Sequence, residues 1–143
     1  MAALGDLLTK QHRELDALLG RFLAAAHGRA AEAAREAIVA FDEELRRHTA
    51  REEESPIPPS GGYKLAPGEA ESDREQLGRE LRLEHVQIRE LSGMMRRVLE
   101  EQADVEAARR LFPNLARRWD AHTEKEERSI LSPPPLDATP PRP

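Results

Sequence analysis

Four histidines recur along the chain at near-even intervals: His12, His48, His85 and His122 lie 36, 37 and 37 residues apart. If each interval is a helical hairpin, the four rings return to one level of an antiparallel bundle. Two of the histidines open the same motif, His48-Thr-Ala-Arg-Glu52 and His122-Thr-Glu-Lys-Glu126. Residues four apart share a helix face, so each motif offers an imidazole nitrogen and a carboxylate oxygen to one point. That is the donor set of a metal site.

Four stretches of apolar residues at three- and four-residue steps supply the helices. The first carries Leu8, His12, Leu15, Leu19 and Phe22 and ends near Gly28, a residue suited to a helix C-terminus. The second reads Ala34, Ile38, Phe41, Leu45, His48, Glu52. The third starts at Ser72, whose spacing to Glu75 forms a capping box, and continues through Leu77, Leu81, His85, Ile88, Leu91, Met95 and Val98. The fourth reads Val105, Ala108, Phe112, Leu115, Trp119, His122, Glu126, Ile130. Pro113 falls inside it and is expected to kink that helix or delay its regular start.

The fold class is therefore all-α, an antiparallel up-down-up-down four-helix bundle over residues 1–131. The segment from Ser55 to Glu71, with four prolines and three glycines, is expected to be a long loop. Residues 132–143 are too proline-rich to join the bundle and are expected to be extended or disordered. Composition agrees: 143 residues suit one domain, and aromatics make up only 3%, low for a sheet protein. The absence of cysteine removes disulfides, thiolate ligands and thiol nucleophiles, and fits a reducing cytoplasm. No apolar run is long enough to span a bilayer and no signal-peptide pattern is present, so neither a membrane nor secretion is expected. A net charge of -5 with both signs interspersed gives no nucleic-acid surface.

In such a bundle, equal distance from a turn means equal height. The midpoint of His12 and His48 is position 30, and that of His85 and His122 falls between Ala103 and Asp104. Each histidine is then about 18 residues, roughly 27 Å of helix, from a short turn. All four should share one layer nearer the long loop, and Glu52 and Glu126, one turn further on, should converge beside them. Two carboxylates on apolar stripes are costly unless paired or bound to metal. A single buried histidine is commonly a satisfied core residue, but that does not explain four, one per helix at one height, with two glutamates. His27 lies at the end of the first helix, where a protonated ring would favour the dipole, and no ligand role is expected of it.

With these residues in view, the chain resembles the hemerythrin-like, or HHE cation-binding, domain family over roughly residues 5 to 131. The resemblance rests on Gln11-His12-Arg13, His48-xxx-Glu52-Glu53, Leu83-Glu84-His85 and His122-xxx-Glu126-Glu127. It implies a non-haem di-iron centre, two irons bridged by carboxylate with room for an oxo bridge. The ligands it implies are His12, His48, Glu52, His85, His122 and Glu126. Oxygen-carrying relatives have a further histidine one turn after the third-helix ligand, where this chain has Arg89 beside Ile88. The set of four histidines and two glutamates is similar to the di-iron domain of repair-of-iron-centres proteins, which usually carry an extra cysteine-containing segment.

Glu84, one residue before His85, is expected to support the site from outside or lie at the surface. Tyr63 reads as a loop residue and Trp119 as core packing. Imidazole and carboxylate donors suit iron, zinc or manganese alike. The leading expectation is a cytoplasmic di-iron protein that binds or reacts with dioxygen, peroxide or nitric oxide in oxidative or nitrosative stress or iron homeostasis. An iron or redox sensor acting through a protein partner, and a metal-free helical interaction module, are the alternatives. A ferritin-like site needs glutamate three residues before a histidine, and none of the four has it.

Overall fold

The computed structural model describes the backbone of residues 4–54 and 71–128, with side chains over residues 9–50 and 75–128. Four helices occupy nearly all of it: α1 Leu4–His27, α2 Ala31–Glu54, α3 Glu71–Gln102 and α4 Val105–Glu126. Helix α1 packs on α2 and α4, and α3 packs on α2 and α4, so the helices close a ring in chain order. This is the expected all-α four-helix bundle, with no strand among the described residues. The Pro/Gly loop with Tyr63, Ile130 and the proline-rich tail lie outside the described residues.

The two short turns fall where the histidine spacing puts them, and each has a left-handed residue that is not glycine: Arg29 with φ 56° and Ala103 with φ 49°. At the first, Ala30 N–H donates to Ala25 O at 2.9 Å and Arg29 N–H to Ala26 O at 3.0 Å. That pair of bonds is a Schellman cap with Arg29 in the position glycine usually fills. Gly28, the residue that marks the helix end in the sequence, is one position earlier. At the second turn, Asp104 accepts the Ala107 N–H at 2.9 Å and caps α4.

Two expectations are corrected. Pro113 does not delay the start of α4, which begins at Val105 and continues through the proline. The bond that proline removes is the one to the Arg109 carbonyl, and both residues lie on the exposed face, where water can satisfy it. Meanwhile Phe112, stacked on Phe22 at 5.5 Å between centroids, and buried Leu115 and Trp119 hold the helix on the core. Helix α3 already includes Glu71, so Ser72 sits inside the helix and not at its cap.

The core is a ladder of residues mirrored about each turn. On α1 and α2 the rungs are Ala26 with Ala34, Phe22 with Ile38, Leu19 with Phe41, Leu15 with Leu45 and His12 with His48, all buried. On α3 and α4 they are Leu99 with Ala108, Met95 with Phe112, Ser92 with Leu115, Ile88 with Trp119 and His85 with His122. All of these are buried except the half-buried Phe112. Seven of these ten rungs are wholly apolar and the last of each set is histidine. The polar exception, Ser92, donates to Asp42 Oδ1 at 2.6 Å. Asp42 Oδ2 also takes Arg46 Nε and Arg96 Nη1 at 3.1 Å each, tying α2 to α3. Burial alone would raise the Asp42 pKa. The Ser92 hydrogen bond and the two guanidinium groups outweigh it and hold the carboxyl below its ordinary value.

Candidate metal centre

The ladder ends in a layer where His12, His48, His85, His122 and Glu126 are all buried, each at 2% exposure or less. Five of the six residues expected as ligands therefore meet, one histidine from each helix. The sixth, Glu52, lies on α2, but its side chain is outside the described residues, as are those of Glu53 and Ser72. His27 is exposed in the last turn of α1, away from the layer.

Glu126 sits between two pairs of imidazoles and gives one oxygen to each. Its Oε1 lies 2.8 Å from His12 Nε2 and 3.9 Å from His48 Nε2. Its Oε2 lies 3.7 Å from His122 Nε2 and 4.0 Å from His85 Nε2. Two triads result, His12–His48–Glu126 and His85–His122–Glu126, each with its donor atoms within 4.8 Å of one another. Three of these four separations are too long for hydrogen bonds and leave room for an ion at about 2.0–2.2 Å from each donor.

The outer nitrogens of His48 and His122 are held by other side chains. His48 Nδ1–H donates to Gln11 Oε1 at 2.7 Å, and His122 Nδ1–H to Glu84 Oε1 at 2.8 Å. A proton fixed on Nδ1 leaves the Nε2 lone pair facing inward, the tautomer a metal requires. His122 Nε2 is buried and has no hydrogen-bond partner among the described residues. A buried acceptor without a hydrogen bond is expensive in a purely structural core, and an ion there would satisfy it. The donor set and its outer supports thus fit a metal.

His12 differs from the other three. Both its nitrogens meet carboxylates, Nε2 at Glu126 and Nδ1 at Glu127 Oε2, 2.9 Å away. Burial is the largest single influence and favours the neutral ring. The two glutamate hydrogen bonds and the charge of Glu126 together outweigh it, raising the His12 pKa above its ordinary value. At the other edge, burial would raise the Glu84 pKa, but its bonds to His122 and Lys125 lower it, so the carboxylate stays ionised behind His122.

Glu84 thus supports the site, as its place beside His85 suggested, though it serves His122 on the neighbouring helix. Gln11 and Glu127 were not singled out as supports by the sequence. The signal was present: the mirror rule that pairs His12 with His48 also places Gln11 level with His48, and Glu84 level with His122. Trp119 is core packing and more. Its ring lies 5.6 Å from that of His12 and 6.2 Å from that of His122, and its Nε1–H donates to Asp16 Oδ1 at 2.6 Å. Arg89, where oxygen carriers have histidine, directs Nη1 to Thr49 Oγ1 at 2.8 Å. No helix among the described residues is long and apolar enough to cross a membrane.

Comparison with known proteins agrees with this geometry. No curated protein and no solved structure matches the chain. A family model does: that of the hemerythrin HHE cation-binding domain, over residues 4–132. The four histidines and Glu126 of the buried layer all lie within that span, and the chain belongs to the hemerythrin HHE cation-binding family.

Proposed function

We propose that the chain is a non-haem di-iron protein that binds or reacts with small oxidants, dioxygen, peroxide or nitric oxide, in oxidative or nitrosative stress or iron homeostasis. The observation that carries this reading is the division of Glu126, one carboxylate oxygen toward each pair of histidines. A single structural ion would need one closed set of four ligands; two incomplete sets sharing a carboxylate suit two ions with positions left open. His12 and His48 would hold one ion, His85 and His122 the other, with Glu126 between them and Glu52, from the end of α2, as a further ligand. Bound there, iron would supply redox chemistry and open positions for a small molecule.

The protein's own part is to orient and to exclude. Gln11 and Glu84 hold the outer nitrogens of His48 and His122, so their inner ones need little reorganisation to bind. His12, backed by Glu127, would exchange its Nε2 hydrogen bond to Glu126 for the ion. Trp119 and the apolar rungs behind it close the layer from the short-turn end. The absence of cysteine suits a reducing compartment such as the cytoplasm.

Metal analysis joined to fluorescence tests the reading, because Trp119 is the only tryptophan of the chain and touches one histidine of each pair. Addition of Fe(II) to metal-free protein should quench its emission with an end point of two ions per chain. His48→Ala and His122→Ala should each lower that end point to one or below, while His27→Ala leaves it at two. A folded protein that takes up no Fe(II) would sink the proposal and favour the metal-free interaction module. An optical spectrum recorded as dioxygen, peroxide and nitric oxide are added to the loaded protein then ranks the three.

A further inference from the structure

Away from the metal layer, a groove of about 600 Å³ opens between α2 and α3. Its volume lies within the range of small-molecule sites. Its floor is Gly93, which is buried. A β-carbon at that position would stand 3.7 Å from Arg46 Nη2 and 3.6 Å from Arg97 Nη1. Two guanidinium groups from different helices thus converge on one spot that no side chain fills. Arg46 has its Nε on Asp42, so its outer nitrogen is the one turned to the groove. Arg97 forms no hydrogen bond or ion pair among the described residues. Like charges brought together in this way repel unless an anion lies between them, and the planar donor fork of arginine matches phosphate and carboxylate oxygens.

The flanks of the groove are apolar. Val86 and Met94 line it, each 41% exposed, and with Leu83 they are the exposed large hydrophobics among the described residues, all on one helix. Glu90 also borders the groove and repels an anion beside it, which confines a negative head to the end formed by Gly93 and Arg97. Arg89 contributes to the wall while holding Thr49. Gly93 lies eight residues beyond His85 on α3, roughly 12 Å of helix rise from the metal layer.

We propose that this groove is a second binding site, for a small organic anion whose phosphate or carboxylate head sits over Gly93 between Arg46 and Arg97 and whose apolar body lies on Met94 and Val86. The site is independent of the metal reading and stands or falls by itself.

Titration of the full chain with phenyl phosphate, phenylacetate and benzyl alcohol, followed by amide and arginine side-chain NMR, tests it and separates the two kinds of head. At least one anion should give saturable shifts at Gly93, Met94 and Arg97, weakened by added salt, while the neutral alcohol gives none. Arg97→Gln should weaken binding about tenfold, and Arg109→Gln, on the exposed face of α4, should leave it unchanged. Gly93→Leu fills the floor with a better helix former, so it should stay folded and lose the site. No saturable shift with either anion, equal binding of the alcohol, or wild-type affinity in both Arg97→Gln and Gly93→Leu would overturn the proposal.

Discussion

Toward the two short turns the rungs of the bundle are Phe22 with Ile38 and Met95 with Phe112; at the opposite end they are His12 with His48 and His85 with His122. The helical periodicity is the same and the burial is similar, yet the energetics are opposed. An apolar rung removes hydrocarbon from water and stabilises the fold whether or not anything is bound. A histidine rung desolvates imidazoles and a carboxylate, and much of that cost is offset only when a cation arrives. On the proposed reading, the turn end therefore carries the fold and the histidine end the chemistry. A bundle divided this way can hold donor atoms in place before the ion binds, because the apolar rungs fix the helices that present them.

The sharpest test of this division exchanges one large side chain at each end. Phe41 is fully buried and meets Trp119 edge-on at 5.8 Å, so Phe41→Ala should cost about 3–5 kcal/mol in urea unfolding of the metal-free protein. Metal stoichiometry of the molecules that remain folded should not change. Glu126→Gln should behave in the reverse sense. His12 can shed its proton when the carboxylate is lost, so metal-free stability should move by less than about 1 kcal/mol. Bound iron, however, should fall below one ion per chain. If Glu126→Gln destabilised the metal-free protein as much as Phe41→Ala, the histidine layer would be structural and the division would fail.

A smaller effect compares the two halves of the site. His48 is held from outside by the neutral amide of Gln11 and His122 by the ionised carboxylate of Glu84. A carboxylate makes the imidazole behind which it sits a stronger donor. Glu84→Gln should therefore weaken one of the two ions by roughly 10- to 100-fold, about 1.4–2.7 kcal/mol, leaving the other near its original affinity. A two-step Fe(II) titration read by Trp119 emission measures both. Equal weakening of both steps would show that the halves are not independent.

The turn end is not wholly apolar, and Asp42 shows where pH enters its stability. Its folded-state pKa lies below the ordinary value through Ser92, Arg46 and Arg96, acting against burial. A depressed carboxylate contributes stability that is present above the unfolded pKa, near 3.9, and is lost as pH falls through the folded value. Metal-free protein should thus lose stability through this group as pH falls below about 3.9, and not in milder acid. Asp42→Asn should flatten that part of the profile. An unchanged acid slope in Asp42→Asn would mean that the network adds nothing to the fold end.

Most of this was legible in the residues. Alternating three- and four-residue steps gave the helices, and because every rung mirrors about a turn, histidine positions alone located both turns and the shared layer. Pro113 misled about where α4 starts, because a local rule about a missing N–H cannot see that the affected carbonyl faces water while Phe112, Leu115 and Trp119 bind the same helix to the core. Ser72 misled for a related reason: serine and glutamate three apart satisfy a capping box only where the backbone has already left the helix. The supports of the site were harder. Gln11 and Glu127 act on histidines of other helices, a relation that sequence spacing reaches only after the mirror rule is applied to every polar residue. The basic groove was invisible because Arg46 and Arg97 lie far apart in the chain and meet only over Gly93.

The smallest predicted effect concerns the apolar end's own boundary. Arg29 holds φ at 56°, a region that costs a side chain-bearing residue about 1–2 kcal/mol, whereas glycine adopts it freely. Glycine also has more freedom to lose on folding, which offsets part of the gain. Arg29→Gly should therefore stabilise the metal-free protein by about 0.5–1 kcal/mol. The neighbouring Gly28 has no such need. A β-carbon there would make only ordinary contacts, at 3.7 and 3.8 Å, with the carbonyls of Ala24 and Ala25. Moving the glycine one place, as Gly28→Ala with Arg29→Gly, should thus add to the gain. Neither change should alter iron uptake, since the turn is roughly 27 Å of helix from the histidines. A turn variant that shifted metal affinity would show that the two ends are coupled through the helices, and that fold and site are not as separable as the ladder makes them.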